Sequence, residues 1–206
     1  MNINIRADDT VEIDGYVNAV ERLSKPLTDR LGQFVERICK GAFKKALSRA
    51  DDVRILLNHD WDRDLGGTAD GNLELNEDAI GLHARAIIKD ADVVKKARNG
   101  DLVGWSFGFS DREVESGEEK GLPLREVRDL DLYEVSLIDR SKVPAYDGTL
   151  VAVRTADNSK ALNISDVIEG NIRVTEDKKE ETKEEPKPKE VDYTKYKNMI
   201  SEMKGD

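Results

Sequence analysis

Apolar and polar residues alternate with a period of two in several segments before about Thr155, including "VEIDGYVNAV", "NLELNED" and "IGLHARAII". Such alternation predicts strands with one face buried. "VRILLNHD", "LVGWSFGFS", "REVRDLDLYEVSLID" and "TLVAVRT" are also β-type, with turns expected at Asp70-Gly71, Glu77-Asp78 and Ser116-Gly117. Two stretches change to a helical period. "GAFKKALSRA" places Phe43, Ala46 and Leu47 on one face. "DADVVKKARNGD" offers Asp90 or Asp92 as N-cap and Gly100 as a stop. Many short strands with few helices imply an α+β, mainly β domain, expected as a compact β-barrel or strongly curved sheet with helices packed outside.

The composition changes after Thr155. The run "EDKKEETKEEPKPKEVD" is charged, contains proline and has almost no apolar residues. It buries too little surface to offset its ordering entropy, so it is expected to be disordered. The chain therefore divides into a folded domain over 1–155 and a charged tail over 156–206, in which Tyr193, Tyr196, Ile200 and Met203 would share the face of a short terminal helix. A net charge of −10 argues against nucleic acid as a partner. Cys39 is the one cysteine, which excludes an intrachain disulfide. The N-terminus has no long apolar run, so neither a signal peptide nor a membrane span is expected.

Candidate chemistry begins at Gly104-Trp105-Ser106-Phe107-Gly108, which fits G-x-S-x-G. An α/β-hydrolase would place its histidine after the serine and the serine on a strand-to-helix turn. Here no histidine follows Ser106, and "FGFSDREVE" continues as strand, so that fold is excluded. Of the two histidines, His83 lies inside an alternating strand with Leu82 and Ala84 facing the other side, and reads as a solvated position. His59 ends an apolar strand and precedes a polar loop with Trp61 and two glycines, where it would be held facing a cleft. Asp60, Asp62 and Asp64 have the spacing of a calcium loop, but Leu65 and Gly71 occupy the positions that need glycine and glutamate. Zinc lacks ligands, and no metal or cofactor is expected. Asp131 and Glu134 are the acids available to complete a triad with His59 and Ser106, whose order along a chain is not fixed.

Taken in order, "GYVNAVERLSKPLTDRLGQFVERICKGAF", "LLNHDWDRDLGGTADGNLEL", "DLVGWSFGFSD" and "LYEVSLIDRSKVPAYDGTLVAVR" resemble the prohead proteases of tailed bacteriophages, from Gly15 to Arg154. Lys40 before "GAF" departs from the family's more usual proline, a difference expected to affect a turn. The resemblance implies a serine endopeptidase with a fold like the herpesvirus assembly proteases. It makes His59 the general base, Ser106 the nucleophile and Glu134 the third member, with Asp131 as the alternative. It also implies cleavage of a scaffold protein, or of the scaffolding segment of the major capsid protein, within immature capsids in the bacterial host cytoplasm. Self-cleavage and a homodimer belong to the same expectation. The competing reading is a non-catalytic assembly protein of the same fold. Arg140 is a side-chain candidate for oxyanion stabilisation, beside backbone N–H groups.

Overall fold

The computed structural model describes residues 1–142, 163–164 and 173–177. The strand expected at Thr149–Thr155, the charged run beyond its first two residues, Glu176 and Asp177, and the proposed terminal helix lie outside these residues.

One sheet has five strands in the order β12, β1, β2, β8 and β7, spanning Arg173–Glu176, Asn2–Ile5, Val11–Ala19, Gly81–Ile88 and Leu73–Glu77. Its alternation is the one read from sequence. Val11, Ile13 and Val17 of β2, and Leu82, Ala84, Ala86 and Ile88 of β8, point into the core. The second sheet is built on a long hairpin, β9 (Leu102–Glu119) and β10 (Leu122–Asp139). On the other edge of β10, β4 (Gly32–Ile38) pairs in parallel at one end and β5 (Arg54–Leu57) in parallel at the other. The sheet is completed by β3 (Leu27–Asp29) beside β4, β6 (Asp60–Gly67) beside β5, and β11 (Asn163–Ile164) beside β9.

The fold is mainly β with helices, as expected, but its strands form two sheets and do not close into a barrel. Among the described residues β7 and β3 each pair along one edge only, which leaves the sheets open there. The turn expected at Ser116-Gly117 is also displaced. Both residues stay in the ladder, opposite Arg125 and Leu124, and the chain reverses at Lys120-Gly121. The φ values there are 52° and 78°, the left-handed pair that a two-residue hairpin turn requires. The polar stretch after His59 was expected as a loop and is instead strand β6. Arg54 of β5 pairs with Asp64 of this strand, and with Asp52 and Asp70 outside it.

The helices are α1 (Ala42–Arg49) and α2 (Ala91–Asn99). Asp90 caps α2 by accepting from the Val93 N–H, and Gly100 ends it with φ of 70°. Glu77, at the end of β7, accepts from the Gly41 and Lys44 N–H groups and so satisfies donors at the start of α1. Phe43 of α1 is fully buried and meets Phe107 edge-on at 5.2 Å, while Phe107 stacks on Phe109 at 5.3 Å. These rings join the helix to β9; removing one such ring typically costs about 3–5 kcal/mol. They hold the strand that carries Ser106.

Candidate active site

Ser106 sits in the half of β9 that is buried on both faces. Trp105, Phe107 and Phe109 fill the core on one face, and Ser106 and Gly108 lie on the other. Across the ladder Ser106 faces Ser136, and Gly108 faces Glu134. Directly opposed residues share a face of the sheet.

A bulge sets this register. Leu132 pairs with Phe109 but Glu134 pairs with Gly108, so Tyr133 is an extra residue on β10. Were Tyr133 instead paired in ordinary register opposite Gly108, Glu134 would oppose Phe107 and its carboxylate would enter the aromatic core. A one-residue shift reverses the side to which every later side chain points. The bulge thus puts the acid on the face of the serine.

His59 reaches the same place from β5. Arg54 to Leu57 run beside Glu134 to Leu137, and Leu57 then pairs with Asp60 across the turn. The two turn residues, Asn58 and His59, both have φ of 59°. Two left-handed residues make the tight turn that suits a twisted hairpin, and asparagine and histidine tolerate that conformation better than most residues. The Asn58 N–H donates to the Leu137 carbonyl at 2.8 Å, and its Oδ1 accepts from the Asp139 N–H at 3.0 Å. His59 is therefore fixed at the tip of a clamped turn.

From there His59 Nδ1 lies 2.8 Å from Glu134 Oε1. A carboxylate oxygen accepts, so the ring proton is on Nδ1 and Nε2 is left with a lone pair. Glu134 is 2% exposed. Its second oxygen accepts from Ser136 Oγ at 2.5 Å, and the same Oγ accepts from the His59 N–H at 3.1 Å. Two hydrogen bonds offset part of the cost of burying this carboxylate.

Gly108 is required by the same geometry. A Cβ at this position would fall 2.3 Å from Glu134 Oε1, so the carboxylate occupies the space of the missing side chain. The second glycine of the G-x-S-x-G match thus makes room for the acid. Neither Gly108 nor Ser136 was singled out from sequence. A serine two residues after Glu134, inside the apolar run "LYEVSLID", was the available signal.

The other candidates lie elsewhere. Asp131 pairs with Arg112 at 2.8 Å and with Arg49 at 3.8 Å. His83 is on β8 in the other sheet, 3.5 Å from Asp14 and edge-on to Tyr16. Arg140 donates from Nε to the Gly100 carbonyl at the end of α2. Asp139 is buried near the turn; burial raises its carboxyl pKa, but hydrogen bonds from Ser141, Asn58 and Lys96 hold it below the ordinary range. No cluster of residues suited to hold a metal is found among the described residues.

A buried serine, a clamped histidine and a carboxylate on one sheet face are the components of a serine hydrolase site. The chain belongs to the caudovirus prohead serine proteases, whose family model matches residues 1–163. It is accordingly a serine endopeptidase of the kind that acts in phage capsid maturation. No curated protein and no solved structure matches the chain. Among the described residues no helix is long and apolar enough to cross a membrane.

Proposed function

We propose that Ser106 is the nucleophile, His59 the general base and Glu134 the carboxylate that orients it. The observation that carries this reading is the 2.8 Å contact between His59 Nδ1 and Glu134 Oε1 on the face that holds Ser106. In the forward step His59 Nε2 takes the hydroxyl proton as Ser106 Oγ attacks the scissile carbonyl. The imidazolium then returns that proton to the leaving amine, and water attacks the acyl-enzyme by the same route. Glu134 stabilises the imidazolium from the Nδ1 side and stays ionised.

The substrate, in this reading, is scaffold protein or the scaffolding segment of the major capsid protein, and the enzyme also trims its own charged tail. The family supports the setting, and the composition of the tail supports its use as a cleavable extension.

The test is co-expression with capsid protein followed by mass spectrometry of both chains. The wild type should yield shortened chains and Ser106→Ala should leave them intact. Truncation in the Ser106→Ala protein at the wild-type rate would remove Ser106 from the mechanism. Intact chains in both would favour the assembly protein without catalysis.

A further inference from the structure

Two observations concern the outer edge of β9. The first is that Ser106 is 0% exposed, although a protease serine has to meet the carbonyl of its substrate. The site is closed in this structure. The second is that the outer edge of β9 is not bare beside the serine. Asn163 pairs with Phe109 and Ile164 with Gly108, antiparallel, on the edge opposite β10. Gly108 is two positions from Ser106, on the same face, and directly opposite Glu134. A backbone ladder two residues from the nucleophile is where an extended peptide would be held for cutting.

We propose that the edge of β9 at Gly108–Phe109 is the docking edge for the peptide to be cleaved, and that the chain's own Asn163–Ile164 strand occupies it as a built-in competitor. This rests on the reading of Ser106 as nucleophile. Recognition of this kind uses main-chain hydrogen bonds, which any extended segment without proline supplies. The competitor is tethered, so it acts at a high effective concentration however weak its two-residue pairing is. A substrate must displace it, and its apparent affinity falls by the fraction of molecules with the edge open. Substrate segments crowded inside a shell meet that condition, whereas dilute ones do not.

The experiment uses the full chain and the double substitution Asn163→Pro with Ile164→Pro, which removes both N–H donors from the competing strand. Three readouts apply. Hydrogen exchange of the β9 fragment spanning Ser106 to Ser110, in a Ser106→Ala background, should become faster in the proline variant. A labelled synthetic peptide of residues 159–168 should bind that variant roughly three- to tenfold more tightly than it binds the parent. With Ser106 intact, the same peptide should slow labelling of the proline variant by a fluorophosphonate probe at least fivefold.

Unchanged exchange together with unchanged peptide binding overturns the proposal. So does faster exchange with peptide binding that leaves fluorophosphonate labelling untouched, because the edge would then not serve the nucleophile. Protection of β9 that rises with protein concentration also overturns it, since the strand would come from a second copy. Failure of the probe to label Ser106 without any peptide counts against the nucleophile assignment instead, and the exchange and binding readouts still decide the docking edge.

Discussion

Glu134 Oε1 lies against Gly108, 2.3 Å from where a Cβ would stand, and the same oxygen receives the His59 ring at 2.8 Å. One vacant Cβ position therefore controls the aim of the acid and, through it, of the imidazole.

Gly108→Ala should disturb catalysis more than folding. The methyl must displace the carboxylate or the β9 backbone, an overpacking that costs about 1–3 kcal/mol. A catalytic group misplaced by about 1 Å costs on the order of 10²-fold in rate, so kcat should fall by about that factor. Steady-state kinetics beside urea unfolding would separate the two effects. A variant with wild-type kcat would show that the carboxylate is not held against this glycine.

Ser136→Ala removes the hydroxyl that joins the Glu134 carboxylate to the His59 N–H. Leaving buried polar groups short of a partner costs about 1–3 kcal/mol each. We expect a lower melting temperature and a fall in kcat of at least tenfold with KM little changed. Ser136→Thr, which retains the hydroxyl, should recover part of the rate. Equal loss in both variants would make the role one of packing alone.

The two acids separate cleanly by substitution. Glu134→Gln keeps the shape and removes the charge that stabilises imidazolium, and should lower kcat by roughly 10³-fold or more. Asp131→Asn should leave kcat within about twofold, because Asp131 faces Arg112 and its ion pair is a surface one worth little. The reverse ranking in kcat would transfer the third role to Asp131.

Glu36 of β4 predicts a pH-dependent stability away from the active site. Burial, opposed by Arg125 and reinforced by Asp111, raises its carboxyl from 4.5 to about 7. A raised acid favours the folded state while protonated, so this contribution is present below about pH 4.5 and is lost as the pH rises through about 7. Between pH 5 and pH 8 the wild type should lose on the order of 2–3 kcal/mol more than Glu36→Gln. Urea unfolding of both proteins at the two pH values measures this. A wild type that gains on Glu36→Gln over the same range would mean that the Arg125 ion pair outweighs burial.

The strands whose pattern has one dry face, β2 and β8, were legible in the sequence because alternation is a direct image of burial. So were both helices, with Asp90 and Gly100 at the ends of α2. Strand β6 was not, since its Asp and Arg residues resemble a loop until it is seen paired with β5, where Arg54 reaches Asp64. The side chains of the site were legible by type: a histidine ending an apolar strand, a serine in a buried one, and acids in another. What joins them was not. The register of Glu134 against Gly108 depends on the bulge at Tyr133, and no local residue preference announces a bulge. Closure of the sheets into a barrel was inferred from the number of strands, which does not determine how edges meet.

Tyr133 works in the sheet as a frameshift works in a message. From Glu134 to Ile138, every side chain is read in a frame one step removed from that of the outer hairpin. The outer hairpin, out to the turn at Lys120-Gly121, is therefore free to lengthen or shorten by matched pairs on both strands without altering what faces Ser106. Drawing Tyr133 into the regular ladder, opposite Gly108, would do the opposite. It would leave the composition of the site untouched and turn its acid toward Phe107, with the serine left facing the wrong frame.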